Sequence, residues 1–334
     1  MKHLKDIVVE SFFDTELDDS KQFERGVKDD IKQFLKDTYR GASGCKISKN
    51  PNEDGKYVVD CKGALSIKNT EIVSLTNGNF VFGEVRGDFR CYYCRDLTSL
   101  EGAPEVVKGN FFCGGCTSLT SLEGAPKEVR DDFGCGGCKL LTSLEGAPGV
   151  VGRNFICDFC ESLTSLKGAP KDVGGSFRCA NCDSLTSLKG APEVVSGFCC
   201  DNCKKLSSLK GAPKEVMGDF NCSSCGKLAS LEGAPELVGG FFCRDCKKLT
   251  SLKGAPKEVD EFFNCNSCNK LTSLEGAPRK VGRTFSCAHC NSLKTLEGAP
   301  EYIGGDLVCH FCWVEFDDEE IQKHISLIGG KIIA

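Results

Sequence analysis

The sequence predicts a repeat solenoid that is mainly β, an array of 22-residue coils with a parallel sheet. The main observation is a unit that returns with a period of 22 residues, shortened to 21 at two steps. It reads Phe-x-Cys-x-x-Cys-x-x-Leu-Thr-Ser-Leu-(Glu/Lys)-Gly-Ala-Pro-x-x-Val-x-Gly-x. Periods of about 20 to 50 residues are typical of solenoids and related arrays. Apolar residues alternate around each Phe, as in a strand. The Gly-Ala-Pro step marks a corner, because proline donates no backbone hydrogen bond.

Residues 1–44 lie outside the repeat and are predicted to form a helical N-terminal segment. The apolar face of its main helix carries Phe23, Val27, Ile31, Phe34, Leu35 and Thr38. Ser20 is predicted to be the N-cap of this helix, and Gly41 to end it. Upstream, residues 7–13 are expected to form a second short helix or a docking strand, joined by a charged connector at 14–19.

Residues 57–88 are predicted to cap the array at its N-terminal end. Their apolar and β-branched residues alternate less regularly than those of the full unit, which favours one or two degenerate repeats. The predicted strands lie at 57–61, 64–67 and 72–75, followed by Phe80, Phe82 and Val85.

The regular repeats occupy residues 89–312, and residues 313–334 are predicted to form a C-terminal cap. In this cap, Asp317 and Glu320 have the spacing of a capping box that opens a short helix. Its inner side carries Ile321, Ile325 and Ile328, with Gly329 and Gly330 ending it and a last strand at 331–334.

Alternation within one unit assigns directions to its side chains. In the first copy, Phe89 and Cys91 point inward along a short strand, and Cys94 lies where the chain turns. Leu97 and Leu100 then return to the interior. A single coil buries too few side chains to offset the entropy of ordering its backbone. Stability is therefore expected from stacking and from backbone ladders between coils.

The strand and turn of each unit resemble the leucine-rich repeat, in which Leu-x-Leu-x-x-(Asn or Cys) marks the concave strand. The resemblance places Phe177 and Cys179 at the two strand leucine positions and Cys182 at the ladder position. The whole unit, with its Leu-Glu-Gly-Ala-Pro signature, is also similar to repeat proteins encoded by tailed phages. The resemblance covers residues 57–312 and departs at the second strand position, which is Cys here. It implies a surface that binds other proteins.

Eleven Cys-x-x-Cys pairs recur along the array, and they allow three interpretations. The pairs begin at residues 91, 113, 135, 157, 179, 200, 222, 243, 265, 287 and 309, and Cys45, Cys61 and Cys199 lie outside them. We favour paired thiols that fill the core as small apolar groups, with no cofactor. Alternatively, stacked pairs hold zinc or an iron–sulfur cluster, for example through Cys91, Cys94, Cys113 and Cys116. Disulfides between coils are disfavoured, because in-register cysteines have parallel Cβ vectors.

Several classes of function are disfavoured by composition. No nucleophile, base or phosphate-loop pattern is evident, so we predict that the chain is not an enzyme. The net charge is −5 and the Lys and Arg residues are dispersed, which disfavours nucleic acid. No apolar stretch reaches the ~18 residues of a membrane span. The N-terminus lacks the apolar core of a signal peptide, so we expect the cytoplasm of a bacterial host cell, with virion association as an alternative.

Outward-pointing residues of the strand are predicted to form the binding surface. They are Arg90, Tyr92, Phe112, Ile156, Arg178, Phe242 and Arg244. Aromatic and Arg anchors among small residues are typical of protein interfaces. We therefore favour a non-enzymatic protein-binding repeat module, encoded by a phage and acting on a host or virion protein. The alternative is a metal- or thiol-loaded structural or redox protein. His289 and His310, inside two Cys-x-x-Cys pairs, are predicted to be surface residues.

Overall fold

Stacked coils with parallel sheets form most of the chain in the computed structural model, which confirms the predicted mainly-β solenoid. The structure describes residues 3–68 and 70–334, and the side chains of residues 21–68 and 70–334. Most regular coils contribute a short strand around their Phe to a first sheet and a short strand around their Val to a second one. Among the helices described, none has the length and apolar character needed to cross a membrane.

The N-terminal part combines one long helix with the first strands. Its elements are α1 (His3–Thr38), β1 (Tyr39–Arg40), a 3-10 helix (Ala42–Gly44), β2 (Cys45–Ile47), β3 (Tyr57–Cys61), β4 (Leu65–Ile67) and β5 (Phe80–Val85). The strand predicted at 72–75 is wrong, because those residues are irregular, although Leu75 is buried.

Helix α1 corrects the prediction for the N-terminal segment. The helix passes through Ser20 without a break, so the predicted N-cap, the connector at 14–19 and a separate element at 7–13 are wrong. The physical reason is that residues 3–25 contain no glycine or proline to end a helix. The side chains of residues 3–20 lie outside the described ones. On the predicted apolar face, Ile31 and Leu35 are buried, whereas Phe23 is exposed.

A disulfide ties the first two strands of the second sheet. Strands β2 and β3 pair antiparallel with Cys45 opposite Cys61, and the two sulfurs are bonded. The sequence analysis considered disulfides only between coils and did not pair these cysteines. Antiparallel partners point their Cβ atoms to the same side of the sheet at close range, which is what a disulfide needs.

The array contains nineteen short strands. They are β6 (Phe89–Arg90), β7 (Val106–Val107), β8 (Phe111–Phe112), β9 (Glu128–Val129), β10 (Phe133–Gly134), β11 (Val150–Val151), β12 (Phe155–Ile156), β13 (Asp172–Val173), β14 (Ser176–Arg178), β15 (Val194–Val195), β16 (Gly197–Cys199), β17 (Glu215–Asn221), β18 (Leu237–Phe242), β19 (Glu258–Val259), β20 (Phe263–Asn264), β21 (Lys280–Val281), β22 (Phe285–Ser286), β23 (Tyr302–Ile303) and β24 (Leu307–Val308).

The C-terminal part closes the stack with a helix and two strands. They are α2 (Asp318–His324), β25 (Leu327–Ile328) and β26 (Ile332–Ile333). Asp317 is the N-cap of α2, as predicted, and its carboxylate accepts a hydrogen bond from the Glu320 backbone N–H. The prediction that the glycines at 329 and 330 end this helix is wrong, because β25 already pairs with β23 before them. Strand β26 confirms the predicted last strand.

The two sheets follow from the strand pairs. The first has fifteen strands in the order β1-β4-β6-β8-β10-β12-β14-β16-β17-β18-β20-β22-β24-β26, with β15 on β17; the second is split into β13-β11-β9-β7-β5-β3-β2 and β19-β21-β23-β25. Apart from β1 with β4 and β2 with β3, all these pairs are parallel. The alternation predicted a short strand around each Phe but not the second strand around Val. Most coils bend between their Val strand and their Phe strand.

The two 21-residue steps explain why the second sheet is split. In the short coils, two residues rather than three separate Val195 from Phe198 and Val238 from Phe241. With one residue missing from the corner, β18 runs continuously across it, and its neighbour β17 follows with a register shift after Val216. The Val strands of this region consequently join the first sheet.

A stack of phenylalanines forms the centre of the core. Ten of them, from Phe89 to Phe285, are buried with consecutive ring centroids 5.0–5.5 Å apart and ring planes within 4–16° of parallel. In each coil, both cysteines, both leucines and the valine are buried around the ring. The stack therefore fixes the spacing of the coils and holds the outer face of the first sheet in register.

Candidate functional site

The outer face of the first sheet carries three columns of variable side chains. The first column is the residue between Phe and the first Cys of each unit. The second column is the residue directly after that Cys, as the alternation predicts. The third is the residue before the second Cys, where the backbone turns in the left-handed region. Its members are Tyr93, Gly115, Gly137, Phe159, Asn181, Asn202, Ser224, Asp245, Ser267, His289 and Phe311. Their backbone N–H groups continue the ladder, as in Tyr93 to the Gly114 carbonyl at 2.9 Å.

An aromatic groove crosses the first four regular coils on this face. We define the aromatic groove by Tyr92, Tyr93, Phe112, Ile156 and Phe159 above the four glycines 114, 115, 136 and 137; its volume is about 740 Å³. Tyr92, Tyr93 and Phe159 are 40, 66 and 57% exposed. Three predicted site residues, Tyr92, Phe112 and Ile156, thus meet in one concave surface. The sequence analysis missed Tyr93 and Phe159.

Glycines determine how the rings of the aromatic groove lie. A Cβ atom on Gly115 would lie 2.4 Å from the Tyr93 ring, and one on Gly134 would lie 2.7 Å from the Phe112 ring. Each ring therefore rests on the backbone of the next coil, where only glycine leaves room. Tyr92 in turn stacks on Phe112 with ring centroids 5.3 Å apart.

Two aromatic residues of the left-handed column, Tyr93 and Phe159, line the aromatic groove in an unfavourable backbone conformation. Tyr93 and Phe159 have φ values of 57° and 62°. Side chains with a Cβ lose roughly 1–2 kcal/mol there, and glycine or asparagine fits best. Backbone strain of this kind clusters at binding sites.

The rim of the aromatic groove is basic. Arg95 and Lys139 line it, and no carboxylate is among its described lining residues. Lys139 also reaches Glu161 at 2.8 Å, an exposed ion pair of the kind that contributes little to stability. The groove therefore combines an apolar floor with positive charge at its edge.

The remaining predicted site residues lie elsewhere on the face. Arg178, Phe242 and Arg244 line a second concavity of about 520 Å³, together with Cys199 and Asp219. These three predicted residues therefore share a concavity that is separate from the aromatic groove. Arg178 is paired with the largely buried Asp158 at 3.0 Å.

Arg90 lines neither concavity. Its guanidinium is paired with the carboxylate of Asp88, two residues earlier in the chain. Two of the three arginines chosen from the sequence, Arg90 and Arg178, are thus already engaged in ion pairs within the chain.

The second cysteine of each pair has a defined role in the stack. In ten coils its Sγ donates to the backbone carbonyl of the first cysteine in the preceding coil, at 3.1–3.4 Å. Cys182, for example, donates to Cys157 at 3.3 Å. This is the ladder position that the leucine-rich-repeat resemblance implied for Cys182. A thiolate could not donate this bond.

Burial favours the protonated form of the first cysteine in the pairs that begin at Cys157 and Cys179. It raises the pKa of Cys157 and Cys179 well above the usual thiol range, and the neighbouring thiols add to the shift. In the set proposed as a metal alternative, the hydrogen bond to Cys116, followed by burial, raises the pKa of Cys91, whereas the same contact lowers the pKa of Cys116. We treat Cys116 as protonated, because it also donates to the Cys91 carbonyl at 3.1 Å.

The prediction that the cysteine pairs fill the core with no cofactor stays a prediction. Cys91, Cys94, Cys113 and Cys116 are all buried free thiols. Within the described ranges, no group of three or more His, Cys, Asp or Glu side chains is placed to hold one metal ion. Zinc and iron–sulfur clusters remain the alternative to a core of protonated thiols, and metal analysis of protein purified without chelator distinguishes them.

Thiol reactivity is expected to distinguish the two partly buried free cysteines, Cys312 and Cys199, from the buried ones. Cys312 should react first, because it is only partly buried and lies at the end of the array. Cys199 should follow slowly and faster at higher pH, since burial and its bond to Asp201 raise its pKa to about 12. The other free thiols should react only after denaturant is added. A time course with a coloured disulfide reagent at about pH 8 measures this.

A Cys312→Ser variant should lose only the fast phase of that time course. Rapid labelling of most thiols in the native protein would contradict both the buried ladder and its metal alternative.

The two histidines predicted to be surface residues lie together at the C-terminal end of the face. The His289 ring stacks on Phe311 with centroids 5.0 Å apart, and His310 meets the same ring edge-on at 4.8 Å. His310 is only partly exposed, and its Nδ1 is buried with no hydrogen-bond partner among the described residues. The surface prediction therefore holds better for His289 than for His310.

Comparisons with known proteins leave the family open. No family model matches the chain, and no curated protein matches it. Among solved structures, the chain is similar to a leucine-rich repeat protein from Bacteroides ovatus ATCC 8483, at 14% identity, with 87% of this chain and 98% of that chain covered and a TM-score of 0.21. We draw nothing further from so poor a superposition, and the fold assignment rests on the coils and sheets themselves.

Proposed function

We propose that the chain is a non-enzymatic protein-binding repeat module that holds its partner in the aromatic groove. The observation that carries the proposal is the pair Tyr93 and Phe159: large, exposed rings that line one groove at left-handed backbone positions where seven of the eleven coils have glycine, asparagine, aspartate or serine. Exposed aromatic clusters lower solubility and mark interaction sites. Rigid aromatic anchors also supply most of the binding energy in protein interfaces.

The chemistry of the groove indicates what kind of segment binds there. Its first and fourth coils are three strand spacings apart, about 14 Å at ~4.8 Å each, which accommodates about four residues of extended chain. The glycine floor favours an apolar or aromatic side chain that packs between the rings. Arg95 and Lys139 at the rim favour acidic neighbours of that side chain. We therefore propose an exposed acidic segment with an apolar anchor.

The setting of this interaction is part of the same proposal. We propose a phage-encoded protein that acts on a host or virion protein in the bacterial cytoplasm. The support is the similarity of the repeat unit to repeat proteins of tailed phages. The many free thiols outside the Cys45–Cys61 disulfide are also consistent with a reducing compartment.

The double variant Tyr93→Asn, Phe159→Asn is expected to lose peptide binding by more than tenfold while keeping its fold. Asn181 and Asn202 occupy the same left-handed position in other coils, so asparagine fits the backbone there. The thermal midpoint should stay equal or rise, because the strain of two aromatic residues is removed. Selection from a displayed random-peptide library on the immobilised full chain should enrich acidic peptides with an aromatic or aliphatic anchor.

Phe311→Asn is the matched control, since Phe311 has the same backbone conformation and is 71% exposed, but lies at the other end of the array. It should retain binding of the selected peptides. Equal binding by the double variant, or selection of basic peptides, would place the site outside the aromatic groove.

A further inference from the structure

A basic pocket lies at the N-terminal end of the molecule, away from the aromatic groove. It is bounded by α1, β1, the 3-10 helix and the start of β2, and its volume is about 730 Å³. Five cationic side chains line it: Lys28, Lys32, Lys36, Arg40 and Lys68. Its apolar wall is formed by Leu35, Tyr39, Ala42 and Ile47. We call this site the basic pocket.

The charges of the basic pocket are poorly compensated. No Asp or Glu is among its described lining residues. Lys32 pairs with Asp29 at 2.7 Å, where both side chains are more than half exposed. The whole chain is acidic, with a net charge of −5. Five cations around one cavity repel one another, and a bound polyanion would relieve that repulsion.

Backbone contacts hold two of these lysines at the pocket. Lys28 Nζ donates to the Lys49 carbonyl at 2.6 Å and lies 4.9 Å from the Tyr57 ring centroid. Lys68 Nζ donates to the Lys36 carbonyl near the end of α1. An ammonium group has three donors, so each retains N–H groups for a ligand. The pocket is thus partly ordered before anything binds.

We propose that the basic pocket binds a small organic polyphosphate, with its phosphate groups among the five cations and its apolar body on Leu35, Tyr39 and Ile47. The volume lies within the range of about 300–1,000 Å³ typical of small-molecule sites. Phosphates accept charge-assisted hydrogen bonds from both Lys and Arg. The cations converge on one concavity and do not extend as a stripe along the array, which favours a small ligand over a nucleic acid or a membrane surface.

Calorimetric titration of the full chain with adenosine triphosphate and with inorganic tripolyphosphate tests this. We expect one saturable site that weakens at high ionic strength. Adenosine triphosphate should bind more tightly than tripolyphosphate, because only the former has a body for the apolar wall. The variant Lys36→Glu, Arg40→Glu should bind at least tenfold more weakly, and Lys36→Gln, Arg40→Gln should lie between it and the unmodified chain. Both side chains are exposed, and the far-UV signal of α1 checks the fold.

The matched control is Lys227→Glu, Lys248→Glu, which makes the same change of charge on exposed lysines of the array. It should bind as the unmodified chain does. Equal weakening in both charge-reversal variants would overturn the proposal in favour of diffuse attraction, and no saturable binding of either probe would overturn it outright. Equal affinity for the two probes would overturn the role of the apolar wall. Tighter binding to a single-stranded oligonucleotide or to anionic vesicles would assign the pocket to those partners instead.

Discussion

The Gly146→Ala substitution is expected to destabilise the array by about 2–5 kcal/mol. Gly146 lies in the Gly-Ala-Pro corner with φ at 88°, where alanine loses roughly 1–2 kcal/mol. Its Cβ would also lie 2.3 Å from the Glu123 backbone nitrogen and 2.4 Å from the Leu122 carbonyl carbon of the preceding coil. Relief of that overlap requires the coils to separate, and overpacking of this kind costs a further 1–3 kcal/mol or so.

Gly149→Ala, three residues later in the same coil, is the matched control. The nearest atom to its Cβ would be the Lys127 carbonyl oxygen at 4.0 Å, and its φ is not positive. Its effect should be within about 0.5 kcal/mol. The midpoint of urea unfolding followed by far-UV circular dichroism measures both. Equal midpoints for the two variants would show that the corner does not depend on close approach of the backbones.

The same corner shows what the repeat pattern could and could not predict. Proline and the fixed period sufficed to predict a corner at every Gly-Ala-Pro. The requirement for glycine arises because its backbone touches the preceding coil, which is a property of the stack that no single unit contains. In the same way, the alternation placed Phe89 and Cys91 inward correctly but did not reveal the bend that divides most coils between two sheets.

Errors at the N-terminal end have a different origin. The helix was predicted to start at Ser20 because serine is a good N-cap and acidic residues precede it. Capping preference is weak against an uninterrupted stretch of residues that tolerate a helix, so α1 begins at His3 instead. The Cys45–Cys61 disulfide depends on an antiparallel pair of strands that the parallel repeat pattern does not include.

Only part of the candidate site could be predicted from the alternation of residues. Alternation applies to strand positions, so it found Tyr92, Phe112 and Ile156. Tyr93 and Phe159 lie in a turn, where alternation carries no information. A signal was nevertheless present: most coils have Gly, Asn, Asp or Ser before the second Cys, residues that tolerate a left-handed turn. Aromatic residues that depart from such a column are candidates for function.

Removal of residues 313–334 is expected to cause aggregation. These residues supply the last partners of both sheets: Leu307 N–H donates to the Lys331 carbonyl at 2.9 Å, and Gly329 N–H donates to the Ile303 carbonyl at 2.8 Å. Phe316, Ile321 and Ile325 of this segment are also buried. Without them, the unpaired edge of β24 and the apolar end of the core would meet solvent, and exposed parallel edges recruit other chains.

An internal deletion of residues 241–284 is the matched control. It removes two whole coils and joins Gly240 to Phe285, which is equivalent to Phe241, so the stack should close without a new edge. Light scattering during concentration should show aggregation only for the truncated chain, and the internally deleted chain should keep the aromatic groove and its peptide binding. Tolerance of the C-terminal truncation together with collapse of the internal deletion would contradict the assignment of 313–334 as a cap. Coils that stack only on their neighbours can be removed in register, whereas a terminal coil cannot be left uncovered.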